Sequence, residues 1–208
     1  MTKYVNVKTT GPVQWAKVFE FNREKDGYNG SYKECDGAYT INQKLSKEEF
    51  NKLKEAGSLK KPIQKFLLDG EIVVKHERKH LIPAAPQAGG APLVIDRYGR
   101  EWDTDNWGLI GNDSVCEIES LVTKFEITDE NGNKKPVART TMKVVKVLEA
   151  KIYNSETKTV EDFTPPAPNG DWKKDKFFNE QQQEVIKQQP KVEEEYLPEI
   201  DLDDEIPF

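Results

Sequence analysis

From Val13 to Phe21 apolar and polar positions alternate, which predicts a strand with Val13, Trp15, Lys17, Phe19 and Phe21 on one face. Gln14, Ala16, Val18 and Glu20 take the other face. Asp26-Gly27 and Asn29-Gly30 follow as hairpin-type turn signals, and Ala38–Leu45 reads as the return strand with Tyr39, Ile41 and Leu45 on its apolar side. Ser46-Lys47-Glu48-Glu49 is a capping box: the Ser hydroxyl can take an early N–H while Glu49 reaches back. It predicts one helix from Lys47 to Ala56, closed by Gly57 in a left-handed cap. Gly70–Lys79 carries the β-branched run Ile72-Val73-Val74 and predicts a strand; Ile82–Pro92, with three prolines and two glycines, predicts a mobile loop. Leu93–Ile95 is a short strand, and Asp96–Gly108 is turn-rich but interrupted by Tyr98, Trp102 and Trp107. A turn at Gly111-Asn112-Asp113-Ser114 leads into a strand from Val115 to about Ile127. The longest strand is Val137–Tyr153, with Ala138, Met142, Val144, Leu148, Ala150 and Ile152 inward and Lys146 as an exception. Arg139, Thr141, Lys143, Val145 and Lys151 are expected on its outer face.

Five or six strands separated by turns, with one capped helix, suit a mainly β Greek-key barrel; an OB-fold with an added helix fits best. Pro165-Pro166-Ala167-Pro168 marks its edge, giving a domain over 1–164. The Pro/Gln/Glu-rich stretch 165–200 holds too few apolar residues to fold and is expected to be a largely disordered linker; 201–208 is an acidic tip. The formal charge of −6 is unevenly spread. From Asn179 to Phe208 ten acids face two lysines, a net of −8, leaving 29 basic and 27 acidic side chains, a net of +2, over residues 1–178. A slightly basic body with a strongly acidic tail is the pattern of a nucleic-acid binder carrying its own polyanion mimic. Cys35 and Cys116 stand far apart without C-x-x-C spacing, as in a cytosolic protein with reduced thiols. No run approaches a membrane span and the N-terminus has no signal-peptide core, so a soluble chain in the cytoplasm is expected.

The tip is Asp201-Leu202-Asp203-Asp204-Glu205-Ile206-Pro207-Phe208: four carboxylates run into an apolar tripeptide. Pro207 removes a backbone donor, and Phe208 combines a ring with a carboxylate, a pairing suited to a basic, apolar pocket on a partner. The stretch resembles the acidic tip of bacterial single-stranded-DNA-binding proteins. The body adds a second resemblance. Leu93-Val94-Ile95-Asp96, then Gly108-Leu109-Ile110-Gly111-Asn112-Asp113-Ser114 before an alternating strand, then Ala138–Tyr153, are similar to phage-encoded single-stranded-DNA-binding proteins of the OB-fold type. Together these imply non-catalytic, sequence-tolerant coating of exposed strands in phage DNA replication or recombination, in the host bacterial cytoplasm. They imply partner recruitment through Asp201, Asp203, Asp204, Glu205, Ile206, Pro207 and Phe208. The chain departs from the bacterial members in its longer body and in lacking their long Gly/Gln-rich linker, so their tetrameric assembly is not carried over.

Single-strand binding without sequence preference needs a basic track for phosphates and aromatic faces for bases. The chain interleaves them: Trp15 with Lys17, Tyr32 with Lys33, Tyr98 with Arg97 and Arg100, and Trp102 with Arg100. Lys75, Arg78 and Lys79 share one strand, Arg139 and Lys143 another, and Tyr39 and Trp107 complete the candidate contacts. Trp15, Phe19 and Phe21 are also the large fillers a barrel needs, although Lys17 on the same face argues for an exposed surface. Tyr98, Trp102 and Trp107 sit in a polar, turn-rich segment that favours exposure, while Asp103 and Asp105 would repel phosphate near Trp107. A different chemistry is offered by His76-Glu77-Arg78-Lys79-His80, an H-E-x-x-H run that on a helix would serve a zinc peptidase. On a strand the same spacing parts the Cα atoms by about 13 Å, too far for one zinc. Ile72-Val73-Val74 favours the strand, so no metal is expected and His76→Ala should leave fold and DNA binding nearly intact. No phosphate-binding Gly loop is present, and Asp103-Thr104-Asp105 lacks the companions of a two-metal site, so neither an enzyme nor a cofactor is expected. An RNA-binding OB-fold remains an alternative, since discrimination by the 2′-OH leaves no trace in the sequence.

Overall fold

One strand belongs to both halves of the sheet. In the computed structural model, which describes residues 2–83, 85–128, 132, 134–154 and 159–168, strand β1 spans Lys3–Lys17. Val5, Val7, Thr9, Gly11 and Val13 point inward by simple alternation. From Lys3 to Pro12 the strand pairs antiparallel with β5 (Val115–Thr128); from Val13 it turns to β2 (Ala38–Leu45), with Val13 opposite Gln43 and Lys17 opposite Thr40. β1 therefore begins ten residues before the expected start and stops four before the expected end. Beyond a bulge between Gln14 and Lys17, Val18 turns into the core and Glu20–Asn22 coil into a 3-10 turn. The connection to β2 is not a tight hairpin: Gly27, Asn29 and Gly30 take positive φ in a chain of 3-10 turns.

The remaining strands are β3 (Ile72–Lys79), β4 (Leu93–Ile95), β6 (Lys134–Asn154) and β7 (Thr159–Phe163). The sheet order is β3-β2-β1-β5-β6-β4, with β7 also on β6; β4 runs parallel to β6 and every other pair is antiparallel. The result is a mainly β, partly open Greek-key barrel of OB-fold type. β3 and β6 approach each other where the barrel would close, yet no ladder joins them among the described residues. The Arg78 guanidinium bridges that seam, donating to Gly90 O at 2.9 Å, Gly89 O at 2.6 Å and, more weakly, Met142 O at 3.4 Å.

Two β-bulges correct the expected face of β6. Glu119 and Ser120 pair with Val144 and Met142, and Val115 and Cys116 with Glu149 and Val147, so Lys143 and Leu148 are extra residues. Each bulge reverses the alternation. Val145 and Val147 are therefore buried with Met142 and Ala150, whereas Val144 and Leu148 are not, and Lys146 is no exception at all.

Helix α1 spans Lys47–Glu55, with Ala56 as C-cap and Gly57 at φ 86°. Ser46 Oγ accepts the Glu49 N–H at 3.2 Å, as expected, but the Glu49 carboxylate accepts the Thr10 N–H of β1 at 2.9 Å. Half of the capping box is thus diverted to fasten the helix to the sheet. Leu53, with Phe50 beside it, covers Val7, Leu45, Val74 and Val122 at one end of the barrel. Two four-residue helices, α2 (Gln64–Leu67) and α3 (Thr104–Trp107), were not expected. Among the described residues no helix is long and apolar enough to cross a membrane. The chain divides into the unit Met1–Pro166 and a second unit, Ala167–Phe208; the linker from 169 and the tip 201–208 lie outside the described residues.

The fork of β1 rests on two residues. An ideal Cβ at Gly11 would lie 2.1 Å from the Lys44 carbonyl oxygen of β2, so only glycine lets the two strands meet there. Gln43, fully buried, donates to Thr9 O at 3.1 Å and Cys116 O at 2.9 Å and accepts from Thr9 Oγ1 at 2.7 Å. It stitches β2 to β1 and β5 at the point of divergence. Gln43→Leu should cost about 1–3 kcal/mol by stranding these partners, and Gly11→Ala should also destabilise; both are read as a lower urea midpoint with unchanged slope.

Candidate nucleic-acid interface

The register of β2 with β3 sets Lys44 opposite Val73, Asn42 opposite Lys75, Thr40 opposite Glu77 and Ala38 opposite Lys79. These residues face away from the barrel interior, which Tyr39, Ile41, Gln43 and their partners fill. Ala38, Thr40 and Val73 are nonetheless buried, Ala38 under Tyr32 and Cys35, so the exposed part of this face is carried by the lysines. β1 continues the same outer surface with Gln14, Trp15 and Lys17.

Trp15 is the most conspicuous side chain of this face. It is 53% exposed and its φ is 50°, a left-handed backbone that tryptophan rarely adopts. Its ring lies 6.1 Å from that of Phe66 on α2, tilted by 40°, and it borders a shallow cleft lined by Leu109, Tyr153 and Val160. Tyr153 is 46% exposed. Beside these rings stand the cations. Lys17 and Lys75 both approach Glu24, at 3.8 and 3.6 Å, and Lys60 approaches Glu77 at 3.9 Å. The Tyr32 hydroxyl donates to Glu77 at 3.0 Å, and the Lys75 ammonium sits 5.1 Å from the Tyr32 ring centre. Burial draws the Lys60 pKa below the ordinary lysine value; Glu77 opposes that and Lys75 adds to it. Burial, reinforced by Glu77, raises the Tyr32 phenol. Aromatic faces, three lysines and two carboxylates within reach of those lysines make a surface that can stack planar rings and exchange carboxylate for phosphate.

The turn noted in the sequence has a definite mechanical part. Asp113 N–H donates to Val13 O at 2.8 Å and Val13 N–H to Ser114 O at 2.8 Å, while Ser114 Oγ accepts the Lys151 N–H. Asn112 Oδ1 accepts the Trp15 N–H at 2.8 Å. Gly111 lies so close to Lys151 O that a Cβ would fall 2.8 Å from it. The segment clamps the bent end of β1 against β6.

Of the residues expected to contact DNA, the structure brings Trp15, Lys17, Lys75 and Lys79 onto one face. The others are placed differently. Tyr39 has no exposed surface; its hydroxyl meets Glu20 and His80 Nδ1, so it is a core residue. Trp102, 5% exposed, donates Nε1–H to Gly108 O at 2.9 Å and packs edge-on against Trp107 and Phe163. Trp102→Ala would hollow the core, contrary to the exposure its polar neighbours suggested. Arg100 is committed to the buried Asp96 and to Pro166 O, with the Tyr98 and Trp107 rings each 5.3 Å away. Arg78 closes the barrel seam. Arg139 and Lys143 stand on β6, separated from β1 by β5 within the sheet but across the unladdered seam from β3. Lys44, Lys60, Phe66 and Tyr153 were missed, whereas Tyr32, which the sequence pairs with Lys33, instead meets Glu77 and Lys75. The alternation of β2 already signalled Lys44; no local pattern signalled that Lys60 and Phe66 fold back over β3.

The H-E-x-x-H run lies on β3 and just past it. His76 points inward, with Nδ1 3.3 Å from Ser120 Oγ and Nε2 buried without a partner, while Glu77 points outward to Tyr32 and Lys60. His80 Nδ1 meets Tyr39. The three side chains do not converge, and among the described residues no trio of His, Cys, Asp or Glu side chains could hold a metal.

No protein-family model and no curated protein matches the chain. Among solved structures it is similar to a C-terminally truncated single-stranded-DNA-binding protein from bacteriophage Enc34, at 13% identity and TM-score 0.40, covering 77% of this chain and 88% of that one. The same phage protein in complex with ssDNA gives 13% identity, TM-score 0.39 and coverages of 77% and 89%. A further structure of the single-stranded-DNA-binding protein from bacteriophage Enc34 gives 13% identity, TM-score 0.38, and coverages of 83% and 90%. At these scores no residue role transfers to this chain.

His76 generates a prediction of its own and overturns the expectation that its loss is harmless. Burial, aided by Lys60, pushes its pKa from 6.5 to about 3. The unfolded chain therefore takes up a proton that the folded chain refuses, so stability is full above about pH 6.5 and falls as the pH drops towards 3. Between pH 6.5 and 5 the loss should approach about 1.4 kcal/mol per pH unit, and His76→Gln should flatten it, as read by urea denaturation at fixed pH steps. His76→Ala should be destabilising near neutral pH because it opens a cavity, and the deficit relative to the wild type should shrink as the pH falls, because the variant has no buried imidazole to hold unprotonated.

Proposed function

We propose that the outer face of β1, β2 and β3 binds single-stranded DNA without sequence preference, and that the chain is a non-catalytic strand-coating protein of DNA replication or recombination. The observation that carries this reading is Trp15: a half-exposed indole held on a strained backbone, with Phe66 beside it and Lys17, Lys60 and Lys75 on the same surface. Stacked bases would use the rings, and phosphates would take lysines now shared with Glu24 and Glu77. A titration with short oligo(dT) at several salt concentrations tests it. Affinity should fall steeply with salt, and duplex of equal length should bind far more weakly. Trp15→Ala should cost about 1–3 kcal/mol of binding without unfolding the domain. Lys75→Ala should lower the logarithmic salt slope by about 0.7. Equal affinity for duplex would overturn the reading, and poly(U) competing as well as poly(dT) would widen it to RNA.

The acidic tip is read as decoy and handle together. The stretch Asn179–Phe208, net −8, is tethered to a body of net +2, so its carboxylates would compete for the basic face at a local concentration on the order of millimolar. DNA would displace them and present Asp201–Phe208 to replication enzymes where the protein is loaded. Deleting residues 199–208 should tighten oligo(dT) binding, most clearly at low salt. Phe208→Ala should leave DNA affinity unchanged while weakening enzyme recruitment in a pull-down. Unchanged low-salt affinity after deletion would end the decoy half, and undiminished capture by the Phe208 variant the handle half.

A further inference from the structure

Trp15 carries the proposed interface, and its conformation is not its own choice. A tryptophan at φ 50° is disfavoured by contact between its Cβ and the backbone, so neighbouring structure must hold it there. Two kinds of contact do so. The first is backbone: both polar groups of Val13 are taken by Ser114 O and Asp113 N–H, which fixes where β1 leaves the ladder. The second is one side chain. Asn112 Oδ1 accepts the Trp15 N–H at 2.8 Å, across a sequence separation of 97 residues. That bond orients the peptide plane entering Trp15, and so the direction in which the indole leaves the strand. Because the site is exposed, water can replace Asn112 as an acceptor. The Val13 clamp survives its removal. The fold therefore has little need of this side chain, whereas the indole's direction depends on it.

We propose that Asn112 is a positioning residue for nucleobase stacking: it presets Trp15 in the binding orientation before DNA arrives. The inference rests on the proposed role of Trp15. Preorganisation of this kind lowers the ordering cost of binding rather than adding a contact to the ligand.

The test is a double-mutant cycle in the full-length chain, with oligo(dT) as the probe and affinity read at several salt concentrations. Trp15→Ala should weaken binding by about fivefold or more. Asn112→Ala should weaken it several-fold with an unchanged salt slope, since no phosphate contact is lost, and with a near-native urea midpoint. In the Trp15→Ala background the same Asn112 substitution should have no further effect. A merely structural Asn112 would lose stability instead, and a direct DNA contact would lose affinity equally in both backgrounds; either result overturns the proposal. Full affinity in Asn112→Ala alongside weakened Trp15→Ala also overturns it while leaving the interface standing. If Trp15→Ala itself binds normally, the stacking role of Trp15 and this inference fail together.

Discussion

The divergence of β1 is the constraint on which everything else depends. A single strand must satisfy β5 along its first ten residues and β2 along its last, which requires a bend that a regular ladder does not supply. Gly11 gives the close approach, Gln43 supplies hydrogen bonds where two ladders part, and the 111–114 turn takes up the backbone groups beyond it. Trp15 comes after that bend. Its exposure and its strained backbone are thus consequences of closing the barrel, and the proposed site is built where the fold is most tightly determined.

The electrostatics of the outer face follow from the same packing. The long β1–β2 connection brings Glu24 between Lys17 and Lys75, and the segment before α2 brings Lys60 to Glu77. None of these ions is deeply enclosed except Lys60, so each pair contributes little to stability. Their effect on a polyanion is larger, since each lysine comes with a local carboxylate that a phosphate must outcompete. On the proposed reading, such a surface would favour a ligand whose charges are closely spaced and whose rings can also stack, a combination that duplex DNA, with its bases inside, does not offer.

Much of the architecture was legible from alternation. β2, β3, β4, β5 and α1 follow from runs of β-branched residues, a Ser at the N-cap and a Gly after the helix. The misreadings have a common cause. Bulges at Lys143 and Leu148 reverse a strand's phase without any residue type that announces them, so Val144 and Val145 exchanged places. The site was half legible for a related reason. Trp15, Lys17, Lys75 and Lys79 lie on strands whose faces can be counted, whereas Phe66 and Lys60 reach the surface through tertiary folding of an irregular segment. Polar neighbours also mislead: Trp102 sits among aspartates in sequence yet buries its ring by giving Nε1–H to Gly108 O. The Glu49 side chain shows the same competition in miniature, leaving its own helix cap for the Thr10 N–H.

The seam between β3 and β6 differs in kind from the rest of the barrel wall. Elsewhere around the wall neighbouring strands are zipped by repeated backbone bonds that must rupture together. At the seam no ladder is present among the described residues, and the Arg78 guanidinium reaches the β6 backbone only through its weaker bond to Met142 O. Packing between β3 and β6 spans the rest of that line. The wall is therefore a hoop with a clasp: its strands are joined by ladders except along the one line where β3 meets β6.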